Sequence, residues 1–172
     1  DADGVLTEIR TSDADVVGNY DDTISVGSGS NTVLGGNGHD TVTGGADTDV
    51  VIGDNGRVQF DSVGGAGVLR AITTTDPSLG GNDIIDVAGG NNTVIGGAGG
   101  NLVTGGDDRD WVVGGNGRAT FVDDGVLTEI RTSDAEVVGK YDDTTPVGSV
   151  SHTVLGATGH DIVTAAQDTD VL

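Results

Sequence analysis

The chain has no cysteine, no methionine and only five aromatic residues among 172. Without thiols there are no disulfides and no thiolate metal sites, so oxygen is the ligand chemistry left to it. With one Trp, two Tyr and two Phe, an ordinary thick core is not expected. Basic residues are also scarce: seven Lys and Arg face 28 Asp and Glu, a formal charge of -21. That imbalance opposes compaction and excludes nucleic acid and anionic membrane as natural partners. No apolar run reaches 18 residues, so no membrane insertion is expected, and no signal peptide is present. Catalytic signatures are missing too, with no Gly-x-Ser-x-Gly elbow and no His-Glu-x-x-His helix. His39 and His160 lie 121 residues apart at equivalent places of a repeat and read as exposed turn residues. The chain is therefore not expected to be an enzyme.

What it has in abundance is glycine, 32 residues and close to a fifth of the chain against a usual ~7 per cent. Much of it falls in a nine-residue phrase, Gly-Gly-x-Gly-x-Asp-x-apolar-x, clearest at Gly35-Gly36-Asn37-Gly38-His39-Asp40-Thr41-Val42-Thr43. The eighth place falls at Ile24, Val33, Val42, Val51 and Phe60, then at Ile85, Val94, Val103, Val112 and Phe121, and again at Thr145, Val154, Val163 and Leu172. Such a period is the mark of a parallel β-helix whose turns bind calcium. Glycines at places one, two and four permit sharp turns with inward-facing carbonyls, and in the short strand that follows the eighth side chain points in. One buried Val, Ile or Leu per phrase is too little to offset the ordering of nine residues, which leaves bound cations as the natural remaining contribution. Without them, disorder is expected for so acidic and glycine-rich a chain.

A longer period overlies the short one. Val33–Phe60 realigns with Val94–Phe121 at an offset of 61, and Gly4-Val5-Leu6-Thr7-Glu8-Ile9-Arg10 recurs at 125–131, an offset of 121. The expected organisation is one continuous solenoid over 1–172. Repeat 1 covers 1–60 (insert 1–16, phrases 17–60), repeat 2 covers 61–121 (insert 61–77, phrases 78–121), and a partial, degenerate repeat 3 covers 122–172. Five phrases are an odd number of half-turns, so a strand from each insert is expected to fill a sixth slot, giving three coils per ~60 residues. The missing initial Met and the end in mid-phrase at Leu172 read as a segment of a longer array.

These phrases resemble the RTX, or haemolysin-type, calcium-binding repeats of large secreted bacterial proteins and adhesins. The resemblance implies an all-β, right-handed parallel β-roll or β-solenoid with calcium-binding turns and an insert about every 60 residues. It implies several calcium ions, held between same-side turns by sixth-place side chains and glycine carbonyls. Transferred by position, the metal ligands are Asp22, Asp40, Asp49, Asp83, Asp110, Asp143, Asp161 and Asp170, with Asn31, Asn92 and Asn101 as neutral counterparts. Asp22 with Asp40 and Asp143 with Asp161 are the best-matched pairs. Val58, Ala119 and His152 depart from the pattern, and Asp54, at a second place, has no ligand role in it. The expected function is a calcium-stabilised structural segment of a large secreted or cell-surface protein, a fibre or adhesin spacer that folds outside the cell. The alternative is a C-terminal secretion and folding module of a protease, lipase or toxin.

One outward face is apolar, through Leu34, Ile52, Ile95, Val113 and Leu155 at the ninth place and Val50 and Trp111 at the seventh. The other carries Ser25, Thr43, Asp86, Thr104 and Thr164. Either insert residues such as Leu6, Ile9, Leu69, Ile72, Leu127 and Ile130 cover the apolar face, or chains self-associate through Leu34, Ile52, Ile95, Trp111 and Val113. In the third repeat Ala157 replaces the second-place glycine, where positive φ would strain it.

Overall fold

The computed structural model describes residues 4–12, 20–133, 141–148, 151–165 and 170–171. The parts of the expected inserts at 1–3, 13–16 and 134–137 lie outside the described residues. Among the described residues all regular structure is strand, arranged in three sheets.

Two sheets form the roll. One contains β2 (Thr23–Ser25), β4 (Thr41–Thr43), β8 (Ile84–Asp86), β10 (Leu102–Thr104), β14 (Thr144–Val147) and β16 (Ile162–Ala165). The other contains β3 (Thr32–Leu34), β5 (Val50–Ile52), β9 (Thr93–Ile95), β11 (Trp111–Val113), β15 (Thr153–Leu155) and β17 (Asp170–Val171). All pairings within both are parallel, as a β-roll requires. Register follows the phrase: Ile24, Val42, Ile85 and Val103 stand side by side in the first sheet, and Val33, Val51, Val94, Val112 and Val154 in the second. These eighth-place side chains meet between the sheets as one core, joined by Val87 and Val147 from first places, with Val26 packed against it.

The third sheet corrects the expected course of the fifth phrase. It runs in the order β1 (Glu8–Arg10), β6 (Gly56–Val63), β7 (Ala66–Thr74), β12 (Gly117–Phe121) and β13 (Leu127–Thr132), and every neighbouring pair is antiparallel. Phe60 and Phe121 therefore do not enter the roll core, and no insert strand fills a sixth half-turn. Four half-turns close two coils, and the chain then leaves the roll into a hairpin. The cause is local. Arg57-Val58-Gln59-Phe60 alternates polar and apolar residues for longer than a three-residue strand allows, and Gly64-Gly65 turns back with φ of +60° and +85°. Gly56 starts this strand directly over the roll, where a Cβ would overlap the Ile52 side chain.

The hairpins cover the apolar face. Ile52, Ile95 and Val113 are fully buried against Val58, Ile72, Ala119 and Phe121, with Ile9, Phe60, Leu69, Leu127 and Ile130 packed at the margin. Trp111 meets Phe121 edge-on, ring centroids 5.9 Å apart. The stripe expected to offer self-association is thus filled from within the chain by the third sheet; Leu6 takes no part and is exposed. The opposite face is less polar than expected, because seventh-place Ile84, Leu102 and Ile162 are exposed on it. Ala157 does adopt a left-handed φ, +86°, matching +106° at Gly36 and +108° at Gly97 in the equivalent place.

Because Ile72 is fully buried in the centre of this second core, Ile72→Ala is expected to cost about 2–5 kcal/mol. Denaturant unfolding in excess calcium measures it. The same substitution should increase quenching of Trp111, whose protection in the unaltered chain should not change with protein concentration.

Candidate metal centre

The turns between the two roll sheets stack into two columns, one along each edge, and the sixth-place residues form a ladder in each. In the first column the N–H of Asp22 donates to Asp40 Oδ1 (2.8 Å), Asp40 to Asp83 (2.8 Å), Asp83 to Asn101 (2.9 Å), Asn101 to Asp143 (2.8 Å) and Asp143 to Asp161 (3.0 Å). In the second, Asn31 donates to Asp49 (2.9 Å), Asp49 to Asn92 (2.8 Å), Asn92 to Asp110 (2.9 Å), and Asp110 to His152 Nδ1 (3.2 Å). Each rung joins one coil to the next through a side chain that accepts the neighbouring coil's backbone N–H. The pairs Asp22–Asp40 and Asp143–Asp161 come together as expected. Asp40–Asp83 and Asn101–Asp143, separated by hairpins, are rungs of the same ladder.

One oxygen per carboxylate is used this way; the other is the candidate ligand, and at Asp49 that oxygen also accepts the Gly45 N–H at 3.1 Å. Asp40, Asp83 and Asp110 are buried, and the Oδ2 of each has no hydrogen-bond partner. An orphaned buried carboxylate oxygen is costly unless a cation meets it. The surroundings supply more oxygen and leave room. A Cβ added at Gly35 or Gly53 would overlap both the second oxygen of Asp40 or Asp83 and a carbonyl oxygen of the following coil. At Gly44, Gly105 and Gly114 it would come within 2.8, 2.7 and 2.8 Å of the second oxygens of Asp49, Asp110 and Asp143. First-place glycine thus keeps an oxygen-walled space open beside each carboxylate. Among the described residues no three Asp, Glu or His side chains converge on one point, so a cation here must be completed by backbone carbonyls. Hard oxygen donors of this kind suit calcium.

The electrostatics agree. Burial raises the Asp110 carboxyl to about 7 and raises Asp40 and Asp83 above the usual carboxylate range, against backbone hydrogen bonds that lower all three. Burial lowers the pKa of His152, so at its sixth place the second column carries a neutral imidazole, with Nε2 buried and unpartnered.

The other sequence candidates divide. Asn92 and Asn101 are buried rungs whose amide nitrogens donate to glycine carbonyls, Asn92 to Gly89 and Gly90 and Asn101 to Gly97, Gly99 and Gly114. That places a donor where an aspartate would put a second acceptor. Asn31 does the same toward Gly27 and Gly29 in a more open turn. Asp22 is exposed and Asp161 half-buried at the ends of the described column. Asp170 begins β17, and its side chain lies outside the described residues. Val58 and Ala119 are not turn residues at all; both are buried in the third sheet. Three residues escape the phrase logic. Asp21 and Asp142 accept the N–H of His39 and His160 one coil on, at 2.9 and 2.8 Å. Asp54 is 1 % exposed.

The sequence model of one family, RTX calcium-binding nonapeptide repeat, matches in four copies over residues 16–51, 79–94 and 87–121. Repeats of this family bind calcium ions and are structural rather than catalytic. No curated protein and no solved structure matches the chain.

A carboxyl whose folded pKa lies above its unfolded 3.8 favours the calcium-free fold at low pH, and that contribution is lost as pH rises through the folded value, about 7 for Asp110. Calcium takes the ionised form and must displace the proton. Because the unfolded carboxyls are ionised at both values and protonation only favours the calcium-free fold, the calcium concentration at the folding midpoint should rise slightly, not fall, between pH 6 and pH 8, and circular dichroism titrations at fixed ionic strength read it directly.

Proposed function

From a chain that carries RTX calcium-binding nonapeptide repeats, we propose a calcium-stabilised structural segment of a large secreted or surface-attached bacterial protein, serving as a stiff spacer. The observation that carries this reading is the pair of ladders, in which buried carboxylates keep one oxygen for the next coil and leave the other without a partner. In the calcium-free chain those charges repel one another across coils, within a net charge of -21. Calcium supplies the neutralising charge and completes the oxygen set. The segment accordingly stays unfolded where calcium is scarce and folds where it is plentiful, outside the cell.

The sixth-place residues Asp22, Asp40, Asp49, Asp83, Asp110, Asp143, Asp161 and Asp170 are the proposed carboxylate ligands, with Asn31, Asn92 and Asn101 at weaker positions. The roll is proposed to be right-handed, and the excursions into the third sheet to recur with the ~60-residue period. That recurrence favours the spacer over a secretion module joined to an enzyme. Each hairpin lies beside the next in one continuous sheet along the roll, a cladding that stiffens a long array. A short secretion block has no need of it.

Individual sites in extracellular modules bind calcium at roughly 0.1–1 mM, so folding should rise cooperatively across that range and be reversed by chelator. A β-rich circular dichroism spectrum that persists unchanged in excess chelator would contradict the proposal.

A further inference from the structure

The connection from β5 to β8 opens with Gly53-Asp54 and closes with Gly80-Gly81-Asn82-Asp83, the hairpin of the third sheet lying between. In the uninterrupted turns of this column the second place takes a left-handed φ, +106° at Gly36 and +108° at Gly97, which a side chain tolerates poorly. At Asp54 the chain is already leaving the turn, φ is not left-handed, and an aspartate fits without strain. Its side chain does not go to solvent. It is 1 % exposed, folded back into the turn, where Oδ1 accepts the Gly81 N–H at 3.0 Å and Oδ2 is buried without a hydrogen-bond partner. Glycines close around it from both coils: a Cβ at Gly80 or at Gly97 would overlap the carboxylate.

Asp83, at the other end of the same connection, has its own orphaned Oδ2 beside Gly53 and near the Gly96 carbonyl oxygen. Two buried carboxylates thus end one turn, each with an unused oxygen, and among the described residues no Lys, Arg or His side chain pairs with either. We infer that Asp54 is a calcium ligand and that, with Asp83, it makes a two-carboxylate site between the β4–β5 coil and the β8–β9 coil. This rests on the calcium-binding reading of the ladders and adds to it a ligand from a place where the repeat has none. Affinity in oxygen sites rises with the number of charged ligands, so this site fills before its one-carboxylate neighbours. Among the described residues the arrangement occurs once. The residue equivalent to Asp54 in the next repeat is Gly115, and the residues three before Asp22 and Asp143 are Asn19 and Lys140 where Gly80 precedes Asp83.

The bland alternative is that Asp54 only caps the Gly81 N–H. Asp54→Asn separates the two, because the amide oxygen keeps that hydrogen bond and loses the charge. Calorimetric calcium titration of the 1–172 chain should show the tightest class of sites weakened at least about tenfold in D54N, with D124N, an exposed aspartate, as the charge-matched control showing no such change. Stability in chelator should not fall in D54N, since a buried charge has been removed. Calcium binding of D54N that matches wild type in number and affinity overturns the inference. If D54N does not fold at any calcium concentration, crystals of the unaltered chain grown in calcium decide. An anomalous peak about 2.3–2.6 Å from Asp54 Oδ2 supports the inference, and peaks elsewhere with none at Asp54 overturn it. A wild-type chain that binds no calcium contradicts the function reading itself, whereas a wild-type chain that binds and a D54N chain that binds equally well contradict only the role of Asp54.

Discussion

A carboxylate has two oxygens, and in the turns of this roll the polypeptide uses one of them. Oδ1 of Asp40, Asp83 or Asp110 accepts the N–H of the equivalent residue one coil back, and Oδ2 is left buried without a donor. Most other features follow from that division. Where the first place faces a carboxylate it is glycine, because the free oxygen and a carbonyl of the adjoining coil occupy the space of a Cβ, as at Gly35 and Gly53; in the phrases of Asn31, Asn92 and His152 the same place holds Val26, Val87 and Val147. The roll strands stay at two to four residues because the coil needs only enough ladder to bring the next turn into register. Ionised carboxylates are held together against both burial and mutual repulsion, and the proposed dependence of the fold on cations rests on that cost.

The two long sides of the molecule are stabilised by different physics. Along the turns the coupling is ionic and hydrogen-bonded; across the outer face of the β3-containing sheet it is apolar, through Ile52, Ile95 and Val113 beneath Ile72, Ala119 and Phe121. The roll core alone is thin and built almost wholly of valine and isoleucine, and the third sheet adds a second apolar layer that contains the larger side chains. Cross-strand pairs such as Arg57 with Glu8 (2.7 Å) sit on the exposed side of that cladding, where such pairs contribute little. The antiparallel sheet joins hairpins that are tens of residues apart in sequence, so it ties successive pairs of coils together independently of the ions.

Asp54 shows how an interruption can create chemistry. In an unbroken turn the second place is left-handed and belongs to glycine; where the chain departs for a hairpin the constraint is lifted, and a carboxylate can occupy the turn. Ala157 shows the opposite case, a side chain kept at φ +86° where no departure relieves it.

The phrase was enough to determine the repeated half-turn, the eighth-place core and the sixth-place column. Each depends on residues within nine of one another, and a period of nine with glycine and aspartate in fixed places has one steric solution. It also determined the oxygen-only ligand chemistry, since the chain contains no thiol. Tertiary structure alone decided where the roll pauses. Phe60 keeps the nine-residue spacing, and the longer alternation of Arg57-Val58-Gln59-Phe60 with the Gly64-Gly65 turn permits a hairpin without requiring one. What redirects it is the exposed apolar face of Ile52, Ile95 and Val113, a surface that exists only once parallel strands from distant phrases lie side by side. Asp54 was illegible for the same reason. Its partners are Gly81, Gly97 and Asp83, 27 or more residues away, and only closure of the coil around the hairpin brings them within reach.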